Sequence, residues 1–73
     1  MKLALLDTVV LNRDLSAHGL RVGDLGAVVE LYGADAVEVE FVRASGETKA
    51  LVTLNVSDLR LVADNDILAV RAS

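Results

Sequence analysis

The stretch His18-Gly19-Leu20-Arg21-Val22-Gly23-Asp24-Leu25-Gly26-Ala27-Val28-Val29-Glu30 decides the fold of this chain. It reads as a tight, glycine-directed turn that feeds straight into a β-strand. Gly23 and Gly26 stand three residues apart around Asp24, where the backbone needs a positive φ or an approach too close for a Cβ. The Val28-Val29 pair then opens a strand that has to bend as it leaves the turn. That pattern begins the second strand of many small, strongly bent barrels.

Upstream, Val9-Val10-Leu11, led by Asp7-Thr8, makes a short first strand. Residues 12–24 form a long loop with Leu15 and Leu20 as anchors tucked under it; a loop of this length in a compact domain either packs or functions. Downstream, residues 26–32 give the second strand and Gly33-Ala34-Asp35 a hairpin turn. Ala36-Val37-Glu38-Val39-Glu40-Phe41-Val42 alternates cleanly, with Val37, Val39 and Phe41 on one face and Glu38 and Glu40 on a wet one. Arg43-Ala44-Ser45-Gly46-Glu47 is a second hairpin with Gly46 as its positive-φ residue. Residues 48–54 form a fourth strand whose inward face is open, because Ala50, Leu51, Val52 and Leu54 are all apolar. Asn55-Val56-Ser57-Asp58 reads as a 3₁₀ turn that Asn55 or Ser57 can cap, and Leu59-Arg60-Leu61-Val62 as a brief fifth strand.

These elements predict an all-β fold: a small five-stranded SH3-like barrel over residues 1–62, with a long first loop and a 3₁₀ turn before the last strand. An OB-type barrel would place a helix between its third and fourth strands, where only a tight turn stands. The tail, residues 63–73, is either a short helix capped by Asn65 or Asp66 or an extra strand through Ile67-Leu68-Ala69-Val70.

Composition narrows the function. At 73 residues the chain is one domain near the lower limit for a self-sufficient core. It has no cysteine and one histidine, which removes disulfides, thiolate sites and multi-histidine metal sites, and no cofactor is expected. The apolar fraction is 53%, above the roughly 45–50% of ordinary domains. A barrel this small leaves part of that surface outside, so a homodimer or a protein docking face is expected. Net charge is −4, its arginines are scattered, and Tyr32 and Phe41 are the only aromatics. Nucleic-acid binding is therefore disfavoured. Met1-Lys2-Leu3-Ala4-Leu5-Leu6 looks like the first half of a signal peptide, but Asp7 interrupts it and no cleavage site follows. With no stretch long enough for a membrane span, a cytoplasmic location is expected.

Candidate site residues fall in two places. Arg13 and Asp14 form a pair on the long loop, where partner-binding residues collect, against the plain alternative of a solvated arginine and a turn-capping aspartate. His18 and Arg21 lie on the same loop. As a catalytic base His18 would need a nucleophile and an orienting carboxylate, with Ser16 and Asp14 near in sequence; a turn-shaping histidine is the simpler reading. Glu38 and Glu40, with Glu30 and Asp35 nearby, make an acidic face. On one strand face the two glutamates lie about 7 Å apart with no other ligand type at hand, which fits a solvated face better than a metal or glycosidase site; Glu38 and Glu40 are also candidate partner-binding residues for a basic partner. Gly19, Gly23, Asp24, Gly26, Gly33 and Gly46 are read as turn residues. Gly23-Asp24-Leu25-Gly26 lacks the Lys-Ser/Thr ending of a P-loop and precedes a strand, so it is no phosphate cradle.

Val9-Val10-Leu11, Arg13-Asp14-Leu15, His18-Gly19-Leu20, Gly23-Asp24-Leu25-Gly26, Val28-Val29-Glu30, Tyr32-Gly33, Val37-Glu38-Val39-Glu40-Phe41 and the connection over residues 54–59 together resemble a bacterial family of small uncharacterised proteins, a domain of unknown function. The resemblance runs over residues 6–62 and implies an SH3-like barrel. Members of that family look like companions of mobile or toxin-associated gene clusters, which implies an immunity or antitoxin role. A more distant similarity is to KOW-type modules, which share the glycine-spaced turn but are basic where they meet RNA. The expectation is a non-enzymatic protein-interaction module, an accessory, antitoxin or immunity factor, with a KOW-like nucleic-acid-binding barrel as the alternative.

Overall fold

The structure is a computed structural model that describes residues 2–42 and 47–62. Strands β1 (Thr8–Leu11), β2 (Leu25–Tyr32), β3 (Ala36–Val42), β4 (Thr48–Asn55) and β5 (Leu59–Leu61) follow one another, with 3₁₀ turns at Ser16–His18 and Val56–Asp58. All pairings are antiparallel and make one sheet in the order β4-β3-β2-β1-β5. The first strand thus lies between the second and the fifth, which curls the β2-β3-β4 meander into the small all-β barrel the sequence predicts. The tip of the second hairpin, with Gly46, and the tail of residues 63–73 lie outside the described residues.

One row of side chains makes the core. Val9, Leu11, Leu20, Val28, Val37, Val39, Phe41, Val52, Leu54 and Leu59 are buried together, with Leu15, Ala50 and Val56 packed against them. The alternation in β3 puts Val37, Val39 and Phe41 inside, as expected. In β4 the packing resolves the open choice of face: Val52 and Leu54 point in, and Leu51 points out at 55% exposure. Each buried valine or leucine contributes roughly 1.5–3 kcal/mol, so this row is the fold's main source of stability.

The glycine grammar separates into two mechanisms. Gly23 has φ +93°, a left-handed conformation with open space where a Cβ would sit. Gly26 is different: a Cβ there would stand 2.6 Å from Val39 Cγ1 and 3.0 Å from both the Glu40 carbonyl oxygen and Phe41 Cδ1. β2 therefore presses on β3 at Gly26, opposite Phe41. The bend expected at Val28-Val29 is a register shift between Val28 and Glu30; one extra residue bends the strand and increases its twist.

Two local expectations are corrected. The long first loop contains a 3₁₀ turn, Ser16–His18, closed by Gly19 at φ 68°. Asn55 stands at the N-cap of the second 3₁₀ turn without a side-chain bond. The Val56 N–H instead donates to the Asp35 carbonyl at 2.9 Å, so the orphan donor is met across the β2–β3 hairpin and neither Asn55 nor Ser57 is needed as a cap. Ahead of β1, Leu3 is 7% exposed in the core. After it, Asp7 N–H donates to the Ala4 carbonyl at 3.1 Å, and Leu6 N–H to the Val28 carbonyl at 2.7 Å. That turn holds Leu6 at φ 69° while leaving it 78% exposed, a conformation that costs a non-glycine residue about 1–2 kcal/mol.

These two positions should respond oppositely to substitution. Gly26→Ala should lose about 1–3 kcal/mol by overpacking, whereas Leu6→Asn should be neutral or gain up to about 1 kcal/mol by relieving the left-handed turn. Urea unfolding of both variants checks the pair, and an unchanged midpoint for Gly26→Ala would refute the close-approach account.

Candidate functional site

The β1–β2 loop is fastened at both ends and in the middle. At its start, Asn12 N–H donates to the Asp58 carbonyl at 2.8 Å, while Arg13 Nε and Nη2 donate to Asp58 Oδ1 and Oδ2 at 2.8 and 3.5 Å. In the middle, Leu15 and Leu20 exchange backbone bonds of 2.9 and 3.1 Å, with Leu20 buried and Leu15 half-buried beneath the turn. Asp14 Oδ1 accepts from Val22 N–H at 2.9 Å. Asp24 Oδ2 accepts from Arg21 N–H at 3.0 Å, and Asp24 N–H returns a bond to the Arg21 carbonyl at 3.1 Å. Gly23 N–H and Leu11 N–H close the exit, onto Leu11 and Asp24 carbonyls respectively.

Of the sequence candidates, Arg13 and Asp14 are thus turned to the protein itself. His18, Arg21 and Val22 are exposed on the loop's outer side, with Ser16 and Ala17 beside them, and Val22 is 61% exposed. His18 ends the 3₁₀ turn, and the Asp14 carboxylate that could have oriented it faces the Val22 amide. Asp58 was invisible as a loop partner because it lies 45 residues from Arg13. The ion pair is solvent-facing, with side chains 57% and 18% exposed, so its direct contribution is under about 1 kcal/mol; its effect is to fix geometry.

The second cluster is on the outer face of the sheet. Register sets Glu30 directly opposite Glu38, and Glu40 opposite Ala27, whereas Asp35 sits in the hairpin turn. Tyr32 Oη donates to Glu38 Oε1 at 3.2 Å, and Thr48 Oγ1 to Glu40 Oε2 at 3.1 Å. Among the described residues no group of three acidic, histidine or cysteine side chains is placed to hold a metal. The Tyr32 hydroxyl is raised above the ordinary phenol range, first by desolvation, then by its bond to Glu38 and the charges of Glu38 and Glu30. Opposed like charges weaken a sheet, so the row of glutamates costs stability.

Open hollows also lie on the surface of the described residues. One of about 300 Å³ lies among Lys2, Leu3, Leu31, Gly33, Ala34, Val37 and Val56, and one of about 230 Å³ among Thr8, Leu25, Gly26, Ala27, Glu40 and Val42. Neither gathers the convergent polar groups of a small-molecule site. Among the described residues no helix is long and apolar enough to cross a membrane.

A family model described as a domain of unknown function (DUF4926) matches residues 5–61, all five strands and both 3₁₀ turns. The chain belongs to that family. No curated protein and no solved structure gives a match. The membership agrees with the uncharacterised family resembled by residues 6–62. Its span takes in the Arg13–Asp58 latch, the loop display and the acidic row, so the loop and its fastening fall within one family unit.

Two substitutions read the acidic row. Glu38→Gln should lower the Tyr32 titration toward the ordinary phenol value, seen in the ultraviolet tyrosinate absorbance. With the folded-state value raised, the hydroxyl's contribution to stability is complete below the unfolded value and is lost as pH climbs from there through the folded value; that loss should shrink in Glu38→Gln. Glu30→Lys should raise stability by about 0.2–1 kcal/mol by replacing an opposed like pair with an opposite one.

Proposed function

We propose that the protein is a small non-enzymatic interaction module that binds another protein through its β1–β2 loop. The observation that carries this reading is the fastening of that loop. Its apolar anchors, two aspartates and the Arg13–Asp58 latch hold His18, Arg21 and Val22 outward on one fixed surface. Ordering a flexible loop on binding costs affinity, and a loop already ordered avoids that loss. The display combines an exposed aliphatic side chain with an arginine and a histidine, suited to an acidic, partly apolar protein surface. A module of this kind serves as an accessory, antitoxin or immunity factor, the role the family resemblance implies.

The test uses the full chain as bait in its native host. A partner retained by the wild type should be rebuilt from purified components, and its affinity should fall at least tenfold for the Arg21→Ala/Val22→Asp variant. Glu30→Gln on the acidic face should leave it unchanged. Equal binding by the loop variant and the wild type refutes the loop as the site. Salt-sensitive affinity for RNA or DNA, with no protein partner, would favour the KOW-like reading instead.

A further inference from the structure

We propose that β4 pairs antiparallel with β4 of a second copy of this chain about a two-fold axis at Thr53. This surface is separate from the β1–β2 loop and does not depend on that loop's role. β4 forms one margin of the sheet, and among the described residues no other strand lies on its far side. The opposite margin, β5, has three residues, against eight in β4. A short margin is self-limiting, but a long one presents a row of unpaired backbone groups that proteins ordinarily blunt with charge or proline. Residues 50–55, Ala50-Leu51-Val52-Thr53-Leu54-Asn55, contain neither. In a chain of net charge −4, this uncharged edge is a place where two copies meet without like charges in the contact.

The ladder fixes which backbone groups are available. Val56 N–H donates to the Asp35 carbonyl, in step with the β3–β4 register that pairs Ala36 with Asn55 and Val37 with Leu54. Antiparallel pairs alternate between bonded and non-bonded, so Leu54, Val52 and Ala50 bond inward to β3. The N–H and C=O groups of Leu51, Thr53 and Asn55 therefore point to the open edge. At the other end of β4 the register shifts between Phe41–Ala50 and Val42–Thr48, leaving Lys49 as the extra residue of a bulge. The regular edge starts only after it.

A two-fold axis at Thr53 uses this whole regular edge. It sets Thr53 against Thr53 of the second copy and Leu51 against its Asn55, so all six edge residues exchange bonds. The axis is perpendicular to the sheet, so the buried faces stay on one side and Val52 meets Leu54 of the second copy. On the outer side, Leu51, 55% exposed, gains cover, and the central threonines form a favourable cross-strand pair. Moving the axis to Leu51 would run the ladder into the bulge and lose bonds.

The chain has no cysteine, so single cysteines report the register. Bonded antiparallel partners have Cα atoms about 5.5 Å apart, within disulfide range, whereas Leu51 lies about 13 Å along the ladder from its own copy. Mild oxidation should therefore convert Thr53→Cys, but not Leu51→Cys, to a covalent dimer. Light scattering at tens of micromolar should give the dimer mass for the wild type and for Leu61→Lys on β5. Thr53→Pro, which removes an edge N–H and is tolerated on a margin, should give the monomer mass with an unchanged circular-dichroism spectrum. If that variant unfolds, the cysteine pair still decides. A monomeric wild type, a folded Thr53→Pro that stays dimeric, or cross-linking of Leu51→Cys in place of Thr53→Cys overturns the proposal.

Discussion

The approach of β2 to β3 at Gly26 is the constraint on which the rest depends. A methyl group of Val39 occupies the space that a Cβ at position 26 would need, so the strands approach this closely because that residue has no side chain. On the other side Gly26 pairs with Val9 of β1. One missing carbon therefore lets the sheet fold over the Val39–Phe41 row while still carrying β1, and through β1 the last strand. The bulge at Val28 then turns the remainder of β2 outward as the edge of the hairpin.

That closure also explains how the surface is divided. The buried side is spent on valine, leucine and one phenylalanine, and no buried polar side chain occurs among the described residues. Polar chemistry is left to the loop before β2 and to the outer face. In the loop, aspartates are used as backbone acceptors, replacing ladder bonds that a barrel end cannot offer. On the outer face the glutamates are held by hydroxyl donors from Tyr32 and Thr48, which offset part of their mutual repulsion.

The strands were legible in the sequence because their signals are local. β3 was read to the residue from strict alternation, and Gly23 and Gly26 were singled out from spacing alone. The two reasons for glycine could not be told apart there, since φ belongs to the turn but the Val39 contact belongs to the neighbouring strand. The β4 faces were equally unreadable: Ala50, Leu51, Val52 and Leu54 put apolar residues on both faces, and only packing against β3 chooses between them. For the site, the loop was identified, but the roles of its residues were not. Arg13 finds its partner 45 residues away, and Asp14 spends its carboxylate on an amide, contacts that leave no mark in a linear pattern. Leu3 was not singled out as a core residue, because Met1-Lys2-Leu3-Ala4-Leu5-Leu6 carries no alternation to mark which leucine turns inward.

The place of β1, between a strand next to it in sequence and one near the other end of the described chain, has a kinetic consequence. The β2-β3-β4 meander closes through short hairpins and can form early. The β1–β5 seam must wait until a segment of nearly the whole domain has been looped back, at an entropic cost offset by three strand pairs, the Asn12–Asp58 and Val62–Thr8 backbone bonds, burial of Leu59 and the Arg13–Asp58 latch. The seam is thus the last part to assemble and the first to part. Local opening should begin there, with the meander still intact, so the barrel's resistance to unfolding is set by its shortest strand.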